Sequence, residues 1–206
     1  MSEGVRGSLL VVCAANVCRS PFAAFLLGRA LPDIDVASVG VTARAGDPLC
    51  RFTKERIDEL PGGAEFTNSH VSTRLDAESI DRADLILTAS EAERSAVATL
   101  APASRPKTFT LVEAAFSARE LAPIPPELTL SELAARMHSQ RGIVDLPQAR
   151  TRRWFSPFRP SFGIAVPDAH IGDTRKHEDV YRAVSDAVDI FVGAWAGARL
   201  ALDATD

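Results

Sequence analysis

The sequence predicts an open α/β fold, a parallel sheet doubly wound with helices on both faces. Short apolar runs of strand length alternate with longer amphipathic stretches from Leu9 to Leu200, the pattern of repeated βα units. The first run, Leu9–Val12, also feeds a loop bearing cysteine and arginine that opens a proline-started helix. Open α/β sheets place their ligands at that end of a strand.

Taken in order, strands are expected at Leu9–Val12, Val36–Val39, Leu85–Thr88 and Thr108–Leu111. Helices are expected at Pro21–Ala30, Pro48–Leu60, Ala77–Arg82, Glu91–Leu100 and Asp179–Leu200. Ser20 reads as an N-cap with Pro21 at the first helical position, and Asp47-Pro48 repeats that signal. Ser90 with Glu93, and Thr129 with Glu132, have the spacing of capping boxes. The second opens a helix running to about Ser139, with Leu130, Leu133 and Met137 on one face. A single domain over 1–206 is expected, with this additional helix and a loop at about 117–166. Within that region, Gln148–Pro160 combines four arginines with three aromatics. It reads either as a flap toward a phosphorylated partner or as a solvated loop over packed aromatics such as Trp154 and Phe155.

Composition sets the class. With 206 residues, 46% of them hydrophobic, the chain can bury a core without metals or disulfides. A net charge of −4 does not suggest a nucleic-acid partner. Three cysteines, two of them in one loop, fit a reducing compartment better than a disulfide framework. They spell no zinc site, since no ligand pair completes a tetrahedron, and Cys50 reads as a structural residue inside a helix. Met1–Gly7 is short and polar and no apolar run reaches about 20 residues, so the expectation is a cytoplasmic protein without membrane contact or cofactor. Sequence is silent on oligomeric state.

The chemistry concentrates in Cys13-Ala14-Ala15-Asn16-Val17-Cys18-Arg19-Ser20-Pro21. Backbone N–H groups from Ala14 to Arg19 can converge on one point at which the following helix aims its positive end. A tetrahedral oxyanion suits that point. Arg19 offers a planar fork for two of its oxygens. A helix N-terminus and a guanidinium lower a cysteine pKa from roughly 8.5 to roughly 3.5–7.5, so Cys13 is expected as a thiolate nucleophile. Asn16 sits mid-loop, where tolerance of left-handed backbone angles is useful.

This stretch resembles the active-site loop of the low-molecular-weight protein tyrosine phosphatases, patterned Cys, any residue, Gly, Asn, any residue, Cys, Arg, Ser, Pro. The match holds at Cys13, Asn16, Cys18, Arg19, Ser20 and Pro21 and departs at Ala15, where the family usually has glycine. The resemblance implies a flavodoxin-like strand order 2-1-3-4. It also implies a bracing network among Asn16, Ser20, Ser38 and His70, with Ser20 donating to Cys13. Near the far end, Val166-Pro167-Asp168-Ala169-His170 falls where the family carries its general acid on an Asp-Pro-aromatic loop. Asp168 takes that place, with Asp173 a weaker candidate. Ala169 and His170 replace the proline and aromatic, and Thr42-Ala43-Arg44 with His170-Ile171 offers a weak aromatic clamp. Cys18 is either a reversible disulfide partner for Cys13 or a packed thiol.

Together these residues predict a metal-independent cysteine phosphatase acting on a phosphorylated protein or small phosphoester, phosphotyrosine first. Cys13 would be the nucleophile, Arg19 and the loop amides the phosphate holders, and Asp168 the acid. Two alternatives stay open. An arsenate reductase shares the fold and loop, although an internal disulfide relay needs a cysteine beyond the loop and none follows Thr88. A weakly active regulatory protein would keep only the phosphate pocket.

Overall fold

A computed structural model describes residues 7–125, 127–150, 161–169 and 174–203. In chain order the elements are β1 (Ser8–Cys13), α1 (Arg19–Ala30), β2 (Asp35–Gly40), α2 (Arg51–Asp58), α3 (Gly63–Ser69) and α4 (Ala77–Arg82). There follow β3 (Leu85–Thr88), α5 (Glu91–Leu100), a 3₁₀ turn (Pro102–Lys107), β4 (Thr108–Thr110), α6 (Leu111–Glu120) and α7 (Leu130–Ser139). A short antiparallel pair, β5 (Ala149–Arg150) with β6 (Ser161–Phe162), precedes α8 (Thr174–Asp203).

The main sheet has four parallel strands in the order β2-β1-β3-β4, as expected. β1 lies inside it, with Val11 opposite Ser38 on one side and Leu87 on the other. Alternation along the strands sorts their side chains between two cores. Leu9, Val11, Leu85 and Leu87 join Phe22, Phe109 and Phe191, beneath α1, α6 and α8. Leu10, Val12 and Ile86 join Ile80 and Val97 on the opposite face. Each fully buried aliphatic side chain contributes about 1.5–3 kcal/mol, so a strand buried on both faces is a rigid mount for whatever follows its last residue. That residue is Cys13.

Several boundaries differ from expectation for local reasons. α1 begins at Arg19 with Cys18 as N-cap, and no side chain caps it. Ser20 lies within the first turn, its hydroxyl engaged elsewhere. α2 begins at Arg51 rather than Pro48, and its cap is the Cys50 side chain, which accepts from the Thr53 N–H. β4 stops at Thr110 because that residue and Glu113 form a capping box for α6. The Thr129–Glu132 box opens α7, whose Leu130, Leu133 and Met137 are buried.

Glu113 does more than cap. It is 4% exposed and meets Arg94 Nη1 at 2.6 Å and Arg141 Nε at 3.1 Å. Arg141 also donates to the Thr108 carbonyl at 2.6 Å and lies 4.2 Å from the centroid of the Phe109 ring. Removing one member of such a cluster leaves charge uncompensated, which costs about 3–5 kcal/mol when fully buried. Both arginines keep some water, so Glu113→Ala is expected to lower unfolding stability by about 2–3 kcal/mol, read from urea denaturation. A loss below about 0.5 kcal/mol, the range of ordinary surface substitutions, would show that the cluster does not hold α5, α6 and the segment after α7 together.

Candidate functional site

The bend from Ala14 to Cys18 joins β1 to α1, so Ala14, Ala15, Asn16, Val17, Cys18 and Arg19 follow Cys13 directly, and the Asn16 N–H turns back onto its sulfur. β2 fastens this loop from the side. The Val41 N–H donates to the Cys13 carbonyl at 2.9 Å, and the Thr42 N–H to that of Ala14 at 2.8 Å. Asn16 takes φ 57°, the left-handed angle anticipated for it. Among the described residues it is the sole non-glycine with positive φ. Ala15 therefore replaces glycine without backbone strain.

Asn16 is fully buried and organises the bracing network. Its Nδ2 donates to Ser20 Oγ at 3.0 Å and to Ser38 Oγ at 2.9 Å, and its Oδ1 accepts from the Thr73 N–H at 2.9 Å. Its carbonyl meets His70 Nε2 at 3.0 Å and the Ser72 hydroxyl at 2.9 Å. The structure thus brings together all four residues expected to brace the loop and adds Ser72 and Thr73. Cys13 Sγ faces the Asn16 N–H at 3.3 Å and Ser20 Oγ at 3.1 Å. Ser20 also lies 3.2 Å from the Val39 carbonyl, so its single proton can be directed to either acceptor.

Burial holds the His70 imidazole below its ordinary 6.5, against the opposing pull of the Asn16 carbonyl. A folded-state pKa below the unfolded value means the unfolded chain binds the extra proton more readily. The stabilisation is therefore complete above about 6.5 and is lost as pH falls through the folded value. Wild type is expected to lose more unfolding free energy than His70→Gln between pH 7.5 and 5, measured by denaturant melts. Parallel profiles would contradict this.

Across the mouth of the loop, Arg19 Nη2 meets Asp168 Oδ2 at 2.8 Å and Glu93 Oε1 at 3.3 Å. Arg19 and Glu93 are buried, whereas the Asp168 side chain is 47% exposed. The Val166 N–H donates to the Ala89 carbonyl at 2.7 Å, just beyond β3. Val166 and Ala169 are both buried, so the Asp168 segment is fastened on either side of its acid. Glu93 corrects its sequence reading. Ser90 does cap α5, through the Ala92 N–H, and its hydroxyl donates to Glu93, whose other oxygen faces Arg19. His170, Ile171, Asp173 and the 151–160 part of the arginine-aromatic segment lie outside the described residues.

Cys50 is the other correction. Rather than sitting inside a helix, it caps one, with its sulfur beside Cys18 and with His177 of α8 completing a group of three metal-ligand side chains. The three cysteines are free thiols. Among the described residues no helix is long and apolar enough to cross a membrane.

A cysteine at the end of a central parallel strand, a short bend after it and an arginine opening the next helix define a class: open α/β proteins with a cysteine-arginine loop at the carboxyl end of the sheet. Residues 8–125 match the family model described as low molecular weight phosphotyrosine protein phosphatase, and the chain belongs to that family. It is 32% identical over 137 residues to a probable low molecular weight protein-tyrosine-phosphatase EpsP of Ralstonia nicotianae, covering 66% of this chain and 90% of that protein. A protein-arginine-phosphatase of Geobacillus stearothermophilus is 36% identical over 104 residues, covering 50% of this chain and 68% of its own length. Among solved structures, the YwlE arginine phosphatase of G. stearothermophilus superposes with TM-score 0.63 at 22% identity, covering 94% of this chain and 96% of that one. The Erwinia amylovora tyrosine phosphatase AmsI gives TM-score 0.62 at 23% identity, with coverage of 94% and 96%. These structures share the fold.

Proposed function

We propose that this protein is a metal-independent cysteine phosphatase that hydrolyses phosphomonoesters, phosphotyrosine in proteins first, through a phosphocysteine intermediate. One juxtaposition carries the reading: the Asn16 N–H and Ser20 hydroxyl on Cys13 Sγ, with Arg19 and Asp168 paired across the same loop. A site for binding alone needs neither a nucleophilic sulfur nor an acid.

In the proposed reaction the phosphate ester enters the loop as its monoanion, Arg19 exchanges its Asp168 contact for phosphate oxygens, and the substrate's proton passes to the Asp168 carboxylate so released. Glu93 stays on the guanidinium and keeps its plane fixed. Cys13 Sγ attacks phosphorus in line with the ester oxygen, the P–S bond forms as the P–O bond breaks, and Asp168 gives its proton to the departing oxygen. Water then attacks phosphorus and passes a proton to the Asp168 carboxylate. The P–S bond breaks, and the Ser20 hydroxyl stabilises the thiolate that leaves. Arg19 and the loop amides hold the equatorial oxygens throughout.

The test is steady-state hydrolysis of p-nitrophenyl phosphate and phosphotyrosine peptides with chelator and reductant present. Phosphoarginine peptides form a third arm, because one relative is named for that substrate. Turnover with the aryl phosphate and preference for phosphotyrosine are the expected results. Preference for phosphoarginine would replace the substrate assignment, and no turnover in any arm would overturn the enzyme reading.

A further inference from the structure

Behind the 13–19 loop, three side chains that the phosphatase scheme does not use come together. Cys18 belongs to the loop, Cys50 caps α2, and His177 stands in the first turns of α8. Their ligand atoms all lie within 4.8 Å of one another, and His177 Nε2 is 3.8 Å from Cys50 Sγ. Tetrahedral zinc, with Zn–S of about 2.3 Å and Zn–N of about 2.0–2.1 Å, sets S···N edges of about 3.6 Å and S···S edges of about 3.8 Å. The spacing therefore approaches that of a coordination shell.

The surroundings hold the three in place. The Cys50 N–H donates to the Val17 carbonyl at 2.9 Å, tying the start of α2 to the residue before Cys18. The His177 ring packs between Phe52 at 4.6 Å and Tyr181 at 6.1 Å, centroid to centroid. Cys50 Sγ accepts from the Thr53 N–H at 3.4 Å and lies 3.0 Å from Thr53 Oγ1, which is itself 3.2 Å from the Tyr181 hydroxyl. Outer contacts of this kind orient ligands and tune their basicity.

We propose that Cys18, Cys50 and His177 form a zinc site, with water or the Thr53 hydroxyl as fourth ligand. Two thiolates and a neutral imidazole make a dication electrically neutral, which suits a place where Cys18 is 2% and His177 6% exposed. Soft sulfur with imidazole selects zinc over magnesium or calcium. On binding, the Cys18 and Cys50 S–H protons pass to solvent as the two zinc–sulfur bonds form, and nothing is oxidised or reduced. The cation would tie the phosphate loop to α2 and α8 and withdraw Cys18 from disulfide pairing with Cys13.

The test is a Co²⁺ titration of phosphine-reduced protein, read by tetrahedral d–d bands and thiolate-to-cobalt charge transfer, followed by displacement with Zn²⁺. One ion per chain is expected in wild type and equally in Cys13→Ser, which makes the site independent of the phosphatase reading. Cys50→Ser, whose hydroxyl keeps the helix cap, and His177→Gln should each weaken binding by at least about 100-fold. Zinc should raise the melting temperature of wild type but not of these variants. Metal-free circular dichroism verifies their fold. Full-affinity binding in both Cys50→Ser and His177→Gln, loss of binding in Cys13→Ser, or no charge-transfer band in fully reduced wild type would each overturn the site.

Discussion

Replacing Cys13 by serine is expected to lower kcat on an aryl phosphate by on the order of 10⁴–10⁶-fold, as loss of a covalent nucleophile does elsewhere. Sulfur ionises far more readily than an alcohol, and among the described residues no side chain hydrogen-bonded to Cys13 offers a general base. Among the described residues its hydrogen-bond partners are the Asn16 N–H and the Ser20 hydroxyl, both suited to donate to an anion rather than to remove a proton. Serine at 13 would therefore stay protonated and inert. Because the exchange of sulfur for oxygen leaves Arg19 and the loop amides in place, orthophosphate should still bind, measurable by calorimetry. Residual turnover within tenfold of wild type would show that Cys13 is not the nucleophile. A companion variant separates the acid. Asp168→Asn should cost about 10²–10⁴-fold on phenyl phosphate and clearly less on p-nitrophenyl phosphate, whose phenolate departs without a proton. Equal losses on both would remove Asp168 from the proton-transfer role.

The parts of this site that sequence could reveal are those written in consecutive residues. The 13–21 stretch carries the proposed nucleophile, the arginine and left-handed Asn16 in consecutive residues, and the βα alternation around it sets the sheet order once the family is recognised. The Thr110–Glu113 box that opens α6 was equally local, yet reading Thr108–Leu111 as strand consumed its first residues. α3 gave little to read, being seven residues long and entered from Gly62 in a left-handed conformation. What sequence could not reveal depends on distant segments meeting. Glu93 has the spacing of a cap partner, and only the approach of α5 to the loop turns it toward Arg19, 74 positions away in the chain. Ser72 and Thr73 brace Asn16 from 56 and 57 residues away. Cys50 and His177 are 127 residues apart, a spacing that follows no metal-site pattern.

Gly40→Ala is expected to damage the loop without removing any group that performs chemistry. Gly40 ends β2 directly opposite Cys13. A methyl carbon there would lie 2.7 Å from the Ala14 oxygen, 2.7 Å from the Asn16 nitrogen and 2.8 Å from the Ala15 carbonyl carbon. All three are backbone atoms of the loop, so no flexible side chain can swing aside. Gly40 does not have a positive φ, which makes the constraint one of space rather than of conformation. Overpacking typically costs about 1–3 kcal/mol. The loop must relieve it by moving the amides and Arg19 relative to Cys13, and a displacement of about 1 Å in positioned groups costs about 10²-fold in rate. Gly28→Ala is the matched control. Nothing lies within 4 Å of a methyl there, and alanine inside α1 should add about 0.5–1 kcal/mol of stability. Melting temperature and kcat measured on both variants should move in opposite directions for stability and diverge by about two orders of magnitude in rate. If Gly40→Ala turns over like wild type, the approach of β2 does not set the shape of the loop, and the bracing would rest on Asn16 and its partners alone.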